Sequence, residues 1–215
     1  MDLGDERLNK RAKKVVETLA AKPTASIPMA CNGWSETIAT YRFLGNDDVD
    51  WRDIMAPHWA QTEKRMAEHK VVLCLQDTTE LDFNGQDIEG LGRLNYAARR
   101  GMYVHPTYAV TPGREPLGVV DAWMWARDAV DDPGQPAGPK ESTRWIEGYE
   151  RVAEMALGLP ASRLVYIADR EADGVDLMQR AQALGTPADW LIRARHNRCL
   201  PAGETLWSHT CAGEP

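Results

Sequence analysis

The chain has 215 residues, enough to bury a sizeable core without disulfides or a structural metal. Its 32 acids outnumber 25 lysines and arginines for a net charge of −7, which excludes a protein held to nucleic acid by bulk charge; any such contact must come from local clusters. Cysteines 31, 74, 199 and 211 form no CxxC and have no histidine at ligand spacing, so neither a zinc site nor a disulfide framework is indicated, and they read as free thiols in a reducing cytoplasm. The opening MDLGDERLNK has no apolar segment, and no apolar run is long enough to cross a bilayer, so no membrane partner is expected.

In chain order, Asp5 to Ala21 places Leu8, Ala12, Val15, Val16 and Leu19 at helical spacing. The opposite face holds Arg7, Lys10, Arg11, Lys13 and Lys14, which suits phosphate contact or a solvated helix surface. Lys22 to Gly33 reads as a loop, and Ser35 as the N-cap of a helix that ends at Leu44 before Gly45 and Asn46. Asp50 to His69 reads as a third helix, bent or restarted near Pro57. Val71 to Leu75 is an unbroken apolar run, expected to be a strand buried on both faces, with Asp77 at its carboxyl end.

Further on, Leu91 to Arg114 contains Arg93, Arg99, Arg100 and Arg114 and no acid. Within and after it, Met102–Thr111 and Leu117–Ala126 read as a hairpin turning at Pro112, Gly113 and Arg114. A Pro- and Gly-rich loop at 131–139 precedes a helix over Ser142–Leu157. Arg163–Ala168 is a second apolar strand ending on an acid, Asp169, followed by a helix from Ala172 to Leu184 and a strand from Trp190 to Ala194. The order predicts an α/β fold: a mixed sheet with flanking helices (residues 70–215) behind a small helical domain (1–69).

If the two acid-tipped strands are neighbours, Asp77 and Asp169 converge as a hard divalent cation requires. Taken singly, Asp77 also fits an Asx turn and Asp169 a helix N-cap. His105 fits a core histidine equally well, and the tryptophans read as core.

Asp77-Thr78-Thr79 after a buried strand, Arg100-Gly101 followed by Tyr103-Val104-His105, Lys140-Glu141-Ser142 with Trp145, and Asp169-Arg170-Glu171-Ala172-Asp173 together resemble the Tn-five-like (IS-four group) transposases of bacterial insertion sequences. LGDERLNKR at Leu3–Arg11 and YRFLGN at Tyr41–Asn46 are similar to that family's DNA-binding region, so the resemblance spans nearly the whole chain. It implies a ribonuclease-H-like catalytic core and cut-and-paste cleavage and transfer of DNA strands at transposon ends. Asp77 and Asp169 would be the first two acids of a DDE triad and ligands of Mg²⁺, with Mn²⁺ as a substitute. The implied partners are double-stranded transposon-end DNA and a second subunit, either a copy of this chain or a full-length transposase. A basic run in the family contacts the transposon end, and it matches Arg193, Arg195, His196 and Arg198. Arg7, Arg11, Arg100 and Lys140 are further DNA-binding candidates, while alternating Arg193 and Arg195 also fit the solvent face of an edge strand.

The family's third acid, a Glu in a Tyr-x2-Arg-x3-Glu-x6-Lys pattern, has no counterpart in the sequence. The expectation is therefore a catalytic core truncated at its carboxyl end, with little or no strand transfer alone. Asp173 is the better local substitute than Glu171, because on a helix a residue four positions on shares the face of Asp169. Two other classes remain. One is a non-catalytic, transposon-end-binding or inhibitory module. The other is a metal-dependent phosphohydrolase, disfavoured because Thr79 stands where an acid-x-acid site needs its second carboxylate.

Overall fold

The computed structural model describes residues 1–86, 88–95, 99–127, 143–201 and 203–212. It forms two compact units, Met1–Gln61 and Thr62–Pro215. The sequence boundary at 69 and 70 differs because Met66, fully buried, belongs to the core of the second unit, where Ser162 Oγ donates to its carbonyl (3.1 Å).

The first unit begins with α1 (Glu6–Ala20), capped by Asp5, whose carboxylate accepts from the Arg7 amide (2.7 Å). Its apolar stripe packs Ala12 and Val15 against Leu3 and Phe43. The stretch expected as a loop contains one helical turn, α2 (Ile27–Ala30), with Pro28 in its first turn, where a missing N–H costs nothing. Helix α3 (Trp34–Leu44) ends at Gly45 as expected but starts after Gly33, not Ser35. Gly33 has φ 95°, a conformation that favours glycine, and the Glu36 carboxylate reaches back to the Asn32 amide (2.6 Å). Helix α4 (Trp51–Met66) continues through Pro57 as a single element.

The second unit is built on a seven-stranded mixed sheet made of β1 (Val71–Gln76), β2 (Thr79–Asp82), β3 (Gly92–Arg93), β4 (Arg100–Val110), β5 (Pro116–Trp125), β6 (Arg163–Ala168) and β7 (Asp189–Ile192). Strands β1, β6 and β7 lie side by side and parallel, β4 is antiparallel to β1, and β5 is antiparallel to β4. The order β5-β4-β1-β6-β7, with only β4 reversed, is ribonuclease-H-like, as the family resemblance implied, and fits the mixed sheet expected from the order of elements. After β1 the chain breaks at Asp77 and Thr78 and then resumes along the same edge of β4 as β2.

Helices α5 (Thr143–Gly158) and α6 (Val175–Ala183) cover one sheet face, burying Val72 and Cys74 of β1 and Leu164, Tyr166 and Ala168 of β6 under Tyr149, Val152, Leu177 and Ala181. The opposite face is more open. Leu75 is exposed and Leu73 half-buried, so β1 is not buried on both faces as the apolar run implied. A one-turn 3-10 helix (Arg170–Ala172) separates β6 from α6, and α7 (Leu206–Ala212) follows the last strand.

A buried polar cluster sets the end of β1. Gln76 Nε2 donates to Thr107 Oγ1 (3.1 Å), while the Tyr166 hydroxyl donates to Gln76 Oε1 (2.5 Å) and lies 3.1 Å from the Trp145 carbonyl. Burial pushes the Tyr166 phenol well above its ordinary pKa, so it stays a donor. The amide fits only because residue 148 of α5 is glycine, since a Cβ there would overlap it. Gly148→Ala is expected to cost about 1–3 kcal/mol, read as a lower urea midpoint with an unchanged slope.

Candidate active site and nucleic-acid interface

The register that fixes the sheet also fixes the site. Gln76 pairs with Ala168, and Ala168 with Ile192. The next residues on the three parallel strands are Asp77, Asp169 and Arg193, and the Arg193 amide donates to the Ala168 carbonyl (3.2 Å). Neighbouring strands run about 4.8 Å apart, so the two candidate carboxylates stand side by side at the open carboxyl end of the sheet.

Each carboxylate is oriented locally. Asp77 Oδ1 accepts from the Thr78 amide (2.8 Å), and Asp169 Oδ1 accepts from the Glu171 amide (2.7 Å) as the cap of the 3-10 turn. The cap role weighed for Asp169 is therefore present, whereas Asp77 bonds the amide of the next residue and not that of the second one on, as an Asx turn requires; both arrangements leave the second oxygen of each carboxylate without a hydrogen bond among the described residues. Both side chains line a cavity of about 180 Å³ that also takes in Glu80 and Glu171. Among the described residues no three His, Cys, Asp or Glu side chains are grouped closely enough to hold a metal ion.

Asp173 is not the local substitute that helical spacing predicted. Asp169 starts a 3-10 turn that ends at Asp173, so the four-residue rule of an α-helix does not apply, and Glu171 is the acid that lines the cavity. Asp173 is buried beneath the segment after β7. Its Oδ2 accepts from the Arg195 and His196 amides (2.6 and 2.9 Å), its Oδ1 pairs with the Arg198 guanidinium (2.6 Å), and its own carbonyl accepts from Arg198 Nη2 (2.8 Å). Burial alone would raise its pKa; the His196 and Arg195 amides and Arg198 outweigh burial and hold it below the usual carboxylate range.

The candidate DNA contacts separate accordingly. Arg198 is engaged in holding this turn together, whereas Arg193, Arg195 and His196 carry exposed side chains just beyond the carboxylate pair. Arg100 donates to the Leu91 carbonyl (2.8 Å) at the start of β4 and does not line the cavity, and Lys140 lies outside the described residues. Neighbouring Arg99 pairs with Asp82 (3.2 Å), so the acid-free basic stretch is partly neutralised in space.

The basic face of α1 is likewise less positive than its sequence. Arg7 pairs with Asp5 (3.1 Å), Lys10 with Glu6 (2.7 Å), Lys13 with Glu17 (3.9 Å) and Lys14 with Glu36 (2.6 Å). Arg11 instead lines a groove with Ser35, Ile38 and Arg42 of α3, beside Trp34, which is 76% exposed and not a core residue. Arg42 was not among the sequence candidates, although its position in YRFLGN marks it as a neighbour of those that were.

Sequence reasoning also missed the far wall of the cavity. His105 is 1% exposed; its Nδ1 meets Thr78 Oγ1 at 2.7 Å, its Nε2 has no hydrogen-bond partner among the described residues, and burial together with the charge of Arg144 lowers its pKa to about 4. It is thus a core histidine that also lines the site. Next to it Tyr103 and Trp125, directly opposite in the β4–β5 register, stack with ring centroids 5.1 Å apart. Arg127 lies 4.7 Å over the Tyr103 ring and Arg144 lies 3.9 Å over that of Trp125.

Residues 1–49 match the family model of a transposase DNA-binding domain. Among solved structures, the chain is similar to the piggyBac transposase in its synaptic complex with hairpin DNA, at 10% identity and a TM-score of 0.40, over 92% of this chain and 43% of that one. It is also similar to the Mos1 strand transfer complex (11%, 0.28, over 93% and 63%) and to a pre-cleavage Mos1 transpososome (11%, 0.27, over 93% and 64%). The chain spans less than two thirds of the length of each. Among the described residues, no helix is long and apolar enough to cross a membrane.

Proposed function

We propose that this chain is a portion of a transposase of the insertion-sequence type, in which the first unit grips transposon-end DNA and the second carries an incomplete DDE site for cut-and-paste strand cleavage and transfer. The observation that carries the reading is the placement of Asp77 and Asp169 at adjacent carboxyl ends of parallel strands, in a chain whose first 49 residues match a transposase DNA-binding domain. The donor set fits a hard divalent cation such as Mg²⁺ or Mn²⁺: two carboxylates side by side, each oriented through one oxygen with the other available. When bound, the ion would activate the attacking oxygen and stabilise the leaving one. The protein's own share is to fix both carboxylates through the Thr78 and Glu171 amides, and to bring the strand within reach of Arg193, Arg195 and His196. The pair lacks a third close carboxylate among the described residues. That favours, as a second reading, a module that binds transposon ends, alone or dimerised with a complete transposase, without cutting.

Arg11 and Arg42 would contact phosphates. Salt-dependent binding of linear duplex DNA, and nicking of supercoiled plasmid with Mg²⁺ or Mn²⁺, test the proposal together. Binding is expected to weaken steeply with salt, and Arg11→Gln and Arg42→Gln should each flatten the log–log slope by about 0.9. Nicking should be slight, with whatever occurs lost in Asp77→Ala and Asp169→Ala. DNA affinity indifferent to salt would count against the proposal. So would a phosphomonoesterase activity abolished by Asp77→Ala, which would point to a phosphohydrolase.

A further inference from the structure

Helix α3 keeps one face out of the core of the first unit. Thr37, Thr40 and Phe43 are buried on its inner side, while Trp34, Ile38 and Tyr41 follow one another at helical spacing on the other, flanked by Ser35, Ala39 and Arg42. Trp34 is 76% exposed and Tyr41 49%. Burying such rings is strongly favourable, so a face that holds them in water gains by meeting a partner. The margins of this face are cationic: Arg11 of α1 and Arg42 line the groove that also takes in Trp34, Ser35, Ile38 and Ala39, and among the described residues no acid lines it. Glu36, the one acid of α3, is turned to an adjoining depression, where it pairs with Lys14 (2.6 Å) and accepts from the Asn32 amide (2.6 Å). Asp47 and Asp48 follow only past the carboxyl end of the helix, which leaves its first two turns to meet an anionic partner.

That combination narrows what the face can read. Between the two arginines stands no Asn, Gln, Lys or carboxylate that could recognise adenine, guanine or cytosine by hydrogen bonds to a base edge. What the face offers is apolar: the Trp34 ring, the Ile38 side chain and the Ala39 methyl. The apolar group that a base edge presents in the major groove is the C5 methyl of thymine. An α-helix about 10–12 Å across fits that groove, ~12 Å wide, and reads it with its N-terminal residues while a neighbouring helix crosses the backbone. We infer that α3 is the base-reading helix of the first unit: it enters the major groove of duplex DNA and sets Trp34, Ile38 and Ala39 against thymine methyls, with Arg11 and Arg42 on the flanking phosphates. The inference rests on the reading of the first unit as the part that grips DNA, and it adds which helix face reads the sequence and which feature of the base is read.

The test enriches a pool of random-sequence duplexes on the whole chain in EDTA, then resynthesises the enriched sequence with deoxyuridine in place of thymidine. The exchange removes the methyl and keeps every hydrogen-bonding group of the base. The unsubstituted protein should bind the thymidine duplex more tightly, by about fourfold for each methyl it buries, a readout that needs no variant to fold. Trp34→Ala, a change at an exposed position, should weaken binding of the thymidine duplex roughly tenfold and narrow its preference over the deoxyuridine form. Equal affinity of the unsubstituted protein for the two duplexes, a pool in which no thymine-containing sequence is enriched, or an undiminished thymidine preference in Trp34→Ala would each overturn the assignment. So would self-association of the chain that Trp34→Ala abolishes without altering DNA affinity, which would make the face a protein contact. Failure here is separable from failure of the transposase reading. Salt-sensitive binding of the unselected pool without a methyl preference would leave that reading in place and remove α3 as the reader, whereas binding indifferent to salt would count against both.

Discussion

Asp173→Ala is expected to destabilise the second unit by about 3 kcal/mol, near the lower end of the ~3–5 kcal/mol that follows when one partner of a buried ion pair is removed. Asp173 is 2% exposed and Arg198 24% exposed, so the carboxylate is dry while water still reaches part of the guanidinium. The substitution strands three donors at once, the Arg195 and His196 amides and Arg198. Replacing both partners, as in Asp173→Ala with Arg198→Met, should cost less than the sum of the single changes, because no buried charge is then left without its counterion.

The sign of the pH dependence follows from the lowered carboxyl pKa. The unfolded chain takes up the proton first as the solution is acidified. The contribution of Asp173 is therefore complete above its ordinary value of 3.8 and is lost as pH falls through the lower folded value. Urea midpoints for the wild type, both single variants and the double variant check this. Additive single losses would show that Asp173 and Arg198 act independently. Since Asp173 also anchors the turn that presents Arg193, Arg195 and His196, a folded Asp173→Asn protein should bind DNA more weakly, even though it retains those side chains.

What the sequence revealed and what it concealed divide along the distance over which the information is stored. A buried strand tipped with an acid is local, so Asp77 and Asp169 were legible from VVLCLQD and RLVYIAD. Their adjacency is not local, because the parallel pairing of β1 with β6 depends on the whole crossover through α5. Strands β2 and β3 were invisible because TELD and GR are too short and mixed in composition to carry a period; they exist because β4 offers its edges to them. The basic faces were overestimated for a related reason. Lys14 meets Glu36, and Arg198 meets Asp173, across turns that a charge count along the chain does not see. The role expected of Asp173 failed at one residue: Asp169, by capping a 3-10 turn, interrupts the helix on which that expectation depended. The aromatic wall was within reach, since aligning the predicted hairpin places Tyr103 opposite Trp125, but only the fold brings Arg144 to the same place from the first turn of α5.

His105 should make the protein acid-sensitive well above the range in which Asp173 titrates. Its ring sits between the edges and faces of Trp145 and Trp125, with centroids 4.5 and 6.0 Å away, and among the described residues only Nδ1 has a polar partner. The neutral ring has one N–H to satisfy and the charged ring two, and among the described residues nothing accepts from Nε2. Burial, and secondarily the charge of Arg144, therefore bring its pKa from 6.5 down to about 4. A histidine shifted in this direction stabilises the fold fully above the unfolded value of 6.5, and the contribution is lost progressively as pH falls towards 4, because the unfolded chain binds the proton first. The size is about 3 kcal/mol at 1.36 kcal/mol per pKa unit. His105→Gln, whose amide can still meet Thr78 Oγ1, has no such titration. Its urea midpoint should stay nearly level between pH 6.5 and 4 while that of the wild type falls. Asp77, Glu80, Asp169 and Glu171 line the same cavity in both proteins, so the comparison isolates the imidazole. Parallel declines in the two proteins would mean that the imidazole does not govern the acid limit. A decline confined to the wild type would place the proton on His105. There it would also disturb Thr78, the residue whose amide orients the Asp77 carboxylate, and acid would disable the site before it unfolds the chain.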